Sequence, residues 1–492
     1  MAETPPPSLA SRAARGTLWL ALNSWLSKGM QSVVLLMVAH QLAPRDLGLL
    51  SVAALSMNIA AMPGFGLYSA VIYRRGDVAE AARTALTIQL FVGTSMTVAA
   101  WVLAPAMAGF FHSPNAVGVL RGFAIAIACY AAADIPLGLM IRELDFRRRF
   151  VPDVTSALLG GGLSIALVLA GRGVAGVVVG QVVQAILMVG LYWVVGARVR
   201  PGWNRLLAAE VVSYASKISG GALLQVVVLN IDYIIIGRVL GPGPLGLYSL
   251  AFRLCYLPYL GVTIVINGVA FPYYCRLTSR QEIGLGLIRV SGIIALATVP
   301  LFTLLGLLAG HIVLLGDRWA PAAGPLRVLA LYGILLSLGD SALFALRALG
   351  RAGLGLALKA LHLVVAGTLI GFTASRGITV VAVDQLLAAG FIAVISFMFV
   401  YREAGVRMDA LAGALVPSAC GAMAMTGAVM IGRLVPGLAY PHSGLSLLLL
   451  AALAGAAYLC VAGSLARRSI TETWSQLRMV RVGSASPEAR PL

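Results

Sequence analysis

A chain of 492 residues that is 60% hydrophobic and only 11% charged is not an ordinary soluble protein, in which about a quarter of residues carry charge. Its mean hydropathy of +0.93 points the same way. In lipid only helices and closed barrels satisfy the backbone, and a barrel would show short alternating segments rather than long apolar runs. The fold class is therefore an all-α polytopic membrane protein. The net charge of +18 sits on arginine-rich connections with no compact basic domain, so no nucleic-acid partner is expected.

At about 20 residues per span, the chain reads as fourteen transmembrane helices. They lie near 17–39, 48–72, 84–110, 117–141, 153–171, 174–195, 212–237, 247–274, 284–314, 324–348, 353–374, 377–401, 409–434 and 444–466. The first run contains Asn23 and Lys28 and is too long for a signal peptide, so it reads as a retained span. Polar tails, 1–16 and 467–492, are expected to be irregular. With the N-terminus cytoplasmic, the tails and even-numbered connections hold 23 arginines, among them Arg75, Arg407 and Arg490, against 6 on the other side. That bias sets the orientation and places both termini inside. Cys129, Cys255, Cys275, Cys420 and Cys460 fall in apolar runs without metal-binding spacing and read as packing residues. No metal or other cofactor is expected.

The stretch from Ile231 to Arg253, IDYIIIGRVLGPGPLGLYSLAFR, forms the turn of an apolar helical hairpin. It echoes VAHQLAPRDLGLLSVA, which begins at Val38. At an offset of 198, Leu42, Pro44, Leu47, Gly48, Leu49, Ser51 and Ala53 match Leu240, Pro242, Leu245, Gly246, Leu247, Ser249 and Ala251. Repeated helix sets of this kind build transporters. Because spans 1 and 7 start on the same side, the halves are parallel repeats, expected as a lobe over 17–208 and a lobe over 209–402. Spans 13 and 14, over 403–466, are appended. A weaker echo places Asp134 eight residues before Arg142 and Asp340 seven before Arg347.

Several basic residues lie within spans. Arg121, Arg289 and Arg327 are near ends and can snorkel, whereas Lys28, Lys217, Arg253 and Lys359 are deeper. A charge at span centre costs roughly 3 kcal/mol when it faces lipid, so such residues are functional candidates. Ser24, Lys28, Gln31 and Ser32 form one helical stripe facing water or protein. Lys217 has small neighbours in YASKISGG, which leaves close packing as the alternative reading. Lys359 shares a face with His362. Asp232 and Arg253 stand about equally far from Pro242 and suit either a structural ion pair or a gating or ion-coupling site. Asp340 with Arg347 invites the same two readings, and Asp134 joins them as a gating candidate. Gln181 and Gln184 read as interhelical hydrogen bonders. A pathway lined by ammonium and guanidinium groups suits an anionic cargo, phosphate or pyrophosphate above all.

The motifs LAPRDLGLLSVAAL (42–55), PGFGLYSAVIYRRGD (63–77), RELDFRRRF (142–150), NIDYIIIGRVLGPGPLGLYSLAFRLCYLPY (230–259), FPYYCRL (271–277) and LRALGRAG (346–353) together resemble the Wzx-type flippases. These belong to the multidrug/oligosaccharidyl-lipid/polysaccharide exporter superfamily, and the likeness covers all fourteen spans. The resemblance implies a MATE-like pair of six-helix lobes in the bacterial inner membrane. It also implies alternating-access translocation of undecaprenyl-pyrophosphate-linked oligosaccharide for exopolysaccharide, O-antigen or capsule synthesis. Cationic cavity residues would hold the pyrophosphate, and Tyr214, Tyr233, Tyr248 and Tyr256 are available to the pathway. The expected partners are that lipid-linked glycan, membrane lipids, a polysaccharide polymerase and a chain-length regulator, around a monomer. A drug or cation exporter of the same superfamily would use carboxylates such as Asp232 and Asp340. A polymerase or ligase would need a long external loop with reactive residues. The external connections here are short, and HExxH, GxSxG and P-loop patterns are missing from the sequence, so the reading is a non-enzyme.

Overall fold

The computed structural model describes residues 9–74, 76–196, 198–405, 408–435, 437–438 and 442–483. Arg75, Arg407, Arg490 and the outer parts of both expected tails lie outside the described residues. Fourteen long helices follow in order among the described residues: α1 (Leu9–Gln41), α2 (Pro44–Tyr73), α3 (Val78–Phe110), α4 (Ala116–Arg142), α5 (Phe146–Leu167), α6 (Gly173–Val195) and α7 (Arg205–Val239). Then come α8 (Pro242–Arg276), α9 (Arg280–Leu307), α10 (Ala323–Ala348), α11 (Ala352–Thr373), α12 (Ile378–Ala404), α13 (Met408–Gly432) and α14 (Gly444–Gly483). Each matches one span read from the sequence.

Twelve stretches among the described residues are long and apolar enough to cross a membrane. One of them, Phe146–Val195, holds both α5 and α6. The chain reverses there through Gly171 (φ +80°) and Gly173 (φ +53°), a backbone conformation that side-chain-bearing residues rarely adopt. Small residues let the two arms close up. A Cβ on Gly180 would meet the Ser164 Oγ at 1.9 Å, and one on Gly160 the Gln184 Cβ at 2.4 Å. The 50-residue stretch is thus a hairpin of two spans. Helix α1 is not among the twelve, because Asn23, Ser27, Lys28, Gln31 and Ser32 occupy positions where other spans carry apolar residues.

The helix starts carry their own signals. Pro44 opens α2 at the first helical position, where its missing N–H costs nothing. Asp77, Asp145 and Asn204 cap α3, α5 and α7 by accepting backbone N–H groups, and Ser279 with Glu282 forms a capping box on α9. Two ends differ from expectation. Helix α1 already begins at Leu9, and α14 runs on to Gly483, well past residue 466. SITETWSQLRMVRV contains no Gly or Pro to stop a helix, so the polar start of the tail continues the span.

The chain gathers into two compact units, Met1–Leu250 with Lys359–Asp384 and Ala251–Leu358 with Gln385–Leu492. In the first unit, Leu67 and Val71 of α2, Leu86 of α3, Ile135 of α4 and Val211 of α7 share one core. In the second, Tyr274 of α8, Leu287 and Ile294 of α9, Leu346 of α10 and Val400 of α12 share another. There α13 and α14 pack together through Met425, Val429, Leu450 and Tyr458. The Tyr458 hydroxyl donates to the Leu296 carbonyl of α9 at 2.9 Å.

Candidate functional site

The duplicated motif meets itself. At the starts of α2 and α8, a Cβ added to Gly48 would lie 1.8 Å from the Pro242 carbonyl oxygen, and one added to Gly246 would lie 1.7 Å from that of Pro44. Each glycine therefore turns a Cα hydrogen toward a carbonyl of the other copy, a contact worth about 0.5–1 kcal/mol apiece. One turn on, the Ser51 and Ser249 hydroxyls lie 3.0 Å apart, and both serines are buried. The offset of 198 joins the two serines and exchanges the two glycine contacts, taking Pro44 to Pro242 and Gly48 to Gly246, so the contact is reciprocal. Only glycine permits it, because any side chain at either position would strike backbone.

The cationic candidates separate into two kinds. Lys217 is exposed and makes no hydrogen bond or ion pair among the described residues. Lys28 is exposed as well, and its ammonium reaches the Gln31 Oε1 at 3.4 Å. Lys28 and Gln31 thus meet on the stripe expected of them. Lys359 is half-buried and donates to the Gln225 Oε1 of α7. Arg253, in the second unit, is half-buried.

Each acidic candidate accepts from a neutral donor. Asp232 is fully buried, and its Oδ2 accepts from the Tyr248 hydroxyl at 2.8 Å. Asp134 on α4 accepts from the Gln89 Nε2 of α3 at 2.7 Å. Its carboxylate lies so near α2 that a Cβ on Gly64 would meet Oδ2 at 2.2 Å. Asp340 accepts from the Tyr259 hydroxyl at 2.6 Å, beside Pro258 and a wide π turn at Tyr259–Thr263. Both echoed carboxylates thus face a proline-marked stretch of a neighbouring helix, Pro63–Gly64 in one case and Pro258–Tyr259 in the other. The suggested pairing of Asp340 with Arg347 does not form among the described residues. Arg347 is exposed and lies over the Phe344 ring, 4.9 Å from its centroid. Two helical turns separate it from Asp340, and the aromatic face one turn away is the nearer partner.

Of the four tyrosines, Tyr233 and Tyr248 are buried around Asp232. Tyr214 stacks on the exposed Tyr73 with centroids 4.9 Å apart. Tyr256 lies in a stack between Phe252 and Tyr259. Gln181 bridges helices as expected, donating to the Tyr130 hydroxyl at 2.8 Å.

Two further carboxylates were not singled out from the sequence. Asp153 of α5 is a hub. It accepts from the Asn23 Nδ2 of α1 at 2.7 Å, the Arg149 Nε at 3.1 Å and the Tyr192 hydroxyl of α6 at 2.6 Å. Asp384 of α12 is buried and accepts from the Thr373 hydroxyl of α11. Its signal was legible, since it is an acid in the apolar run ITVVAVDQLLAAG. Among the described residues no cluster of His, Cys, Asp and Glu has the makings of a metal site.

Many apolar helices, a motif packed reciprocally on its own duplicate and ammonium groups held in spans define a membrane transporter. A polysaccharide biosynthesis protein family model matches residues 37–324, more than half of the chain, and the chain belongs to that family. It is 26% identical over 335 residues to the succinoglycan biosynthesis transport protein ExoT of Rhizobium meliloti, covering 66% of this chain and 67% of that one. It is 28% identical over 303 residues to the teichuronic acid biosynthesis protein TuaB of Bacillus subtilis, covering 59% and 61%. To the lipopolysaccharide biosynthesis protein WzxC of Escherichia coli it is 21% identical over 344 residues, covering 68% and 69%. Among solved structures, the lipid II flippase MurJ in an inward closed conformation superposes with a TM-score of 0.77 at 12% identity, over 92% of this chain and 99% of that one. An inward-facing MATE transporter gives 0.59 at 17% identity, over 76% and 95%. The fold is therefore the one shared by MurJ and MATE transporters, and the chain is a multi-pass transporter of polysaccharide biosynthesis, not an enzyme.

Proposed function

We propose that this chain carries undecaprenyl-pyrophosphate-linked oligosaccharide from the cytoplasmic to the periplasmic leaflet of the bacterial inner membrane by alternating access. In this reading both termini are cytoplasmic, and the halves over 17–208 and 209–402 act as the moving lobes. A polymerase and a chain-length regulator take over the product. Lys28, Lys217, Arg253 and Lys359 meet the pyrophosphate, while Asp134, Asp232, Asp340 and Arg347 serve gating or ion coupling. The observation that carries this furthest is that Lys217 has no polar partner among the described residues and Lys28 reaches only a neutral amide. An ammonium left so in an apolar helix costs roughly 3 kcal/mol, and an anionic headgroup offsets that cost while losing its hydration shell. The names of the relatives support a polysaccharide cargo. The reciprocal contact of α2 and α8 supports alternating access, because a seam of backbone and weak bonds can part and close again.

The test follows the sidedness of lipid-linked glycan in cells depleted of the protein. Accumulation on the cytoplasmic leaflet is expected, and it should persist when Lys28→Ala with Lys217→Ala is supplied at normal membrane levels. Full complementation by that variant would remove the lysines from the cargo site. Normal translocation with failed polymerisation would point to a polymerase. Export of cationic dyes with unchanged glycan would point to a drug exporter. In a chain carrying Ser51→Cys and Ser249→Cys, oxidation should form a disulfide and stop translocation, and reduction should restore it. Undiminished transport by the cross-linked chain would show that the seam does not open.

A further inference from the structure

We propose that a groove between α3 and the start of α7 binds an anionic phospholipid of the bilayer as a resident ligand, separate from the cargo. The groove encloses about 600 Å³ and is lined by Thr87, Ile88, Phe91, Trp203, Ala208 and Val212, with almost no polar surface. Its wall is fixed. The Thr87 hydroxyl donates to the Gly202 carbonyl at 2.7 Å, and the Gly202 N–H donates back to that hydroxyl at 3.0 Å. Asn204 both caps α7 and donates to the Glu80 Oε1 at 2.8 Å. The short segment before α7 is thereby strapped across α3.

Three arginines stand at one end of this slot. Arg83 is one helical turn before Thr87, Arg205 is one turn before Ala208, and Arg200 is in the strapped segment. All three are exposed, and none pairs with a carboxylate among the described residues. The nearby acids are already engaged, Glu80 with Asn204 and Glu210 with Arg74 at 2.5 Å. At 1.5 Å rise per residue, Arg205 to Val212 spans about 10 Å and Arg83 to Phe91 about 12 Å. That is the distance from a headgroup phosphate into the upper acyl chain. Trp203 and Leu206 are exposed at the same level, as befits the boundary between headgroups and hydrocarbon.

The chemistry selects the occupant. Guanidinium groups bind a phosphate diester through paired N–H donors, and basic pockets among membrane helices collect anionic headgroups. The slot below offers nothing to a sugar hydroxyl, so a lipid-linked glycan would leave its polar groups unpaired there. A bilayer phospholipid such as phosphatidylglycerol satisfies both ends.

The full chain, reconstituted in vesicles with equal phosphatidylglycerol and phosphatidylcholine and then extracted gently, is weighed intact with its bound lipid. Phosphatidylglycerol should be retained in preference. The triple variant Arg83→Gln, Arg200→Gln, Arg205→Gln should lower that retention at least about tenfold. Val212→Trp, which fills the slot and keeps the arginines, should lower it as well. A triple Arg→Lys variant checks folding and should retain the preference. Equal retention by the Gln variant, or unchanged retention by Val212→Trp, overturns the site. Displacement of phosphatidylglycerol by an equimolar polyprenyl phosphate, but not by added phosphatidylglycerol, overturns the occupant.

Discussion

At the start of α2 and α8 the backbone itself makes the contact, whereas near the start of α5 a single carboxylate does. Gly48 and Gly246 bring carbonyls and Cα hydrogens together, with a side-chain bond between Ser51 and Ser249 one turn on. Asp153 gathers donors from α1, α5 and α6 with charge-assisted geometry. The first arrangement depends on shape and loses little when separated. The second leaves an unpaired charge and orphaned donors if any arm is withdrawn. The proposed alternating access would draw on both, the first as a surface able to release and the second as a bundle held together.

Breaking the second contact should have the larger effect. Asp153→Ala is expected to destabilise the fold by about 3 kcal/mol, seen as a lower midpoint of thermal unfolding in detergent and lower membrane levels. Asp153→Asn should recover part of that loss. Equal melting of Asp153→Ala and wild type would show the hub to be ornamental. Next comes Gly48→Leu, whose side chain must push Pro242 aside at a cost of about 1–3 kcal/mol. Its signature should be faster modification of a cysteine at Ser249, because the closed seam is disfavoured. Lost stability without that change would make the glycine a packing residue alone. The smallest effect is assigned to Ser51→Ala. A single interhelical hydroxyl pair contributes about 0.6 kcal/mol in lipid, so its melting midpoint should barely move while translocation shifts modestly.

Much of this was legible before any coordinates. Span positions followed from apolar runs, and the offset of 198 turned out to name atoms in contact, Ser51 with Ser249. The meaning of Gly48 and Gly246 was not legible. They stood out as identities, but their purpose lies in how near a distant backbone comes, and a residue type does not encode that distance. Asp153 was hidden for a related reason. With Arg149 four residues earlier it looks like a surface helix pair, and its other partners are 130 and 39 residues away in the chain. The candidate cations were readable because a charge in an apolar run is costly if it faces lipid, which leaves water, a partner or cargo for it to meet. Asp384 obeyed the same rule and was passed over.

A face that matches its own copy under a half-turn is what two identical subunits present to each other in a twofold dimer. Joining two such subunits end to end keeps their original interface as an internal contact, here Pro44 to Ser51 against Pro242 to Ser249. Symmetry then binds only those few positions. Elsewhere each half was at liberty to specialise, which is why Asp232 and Arg253 have Val34 and Leu55 as their counterparts.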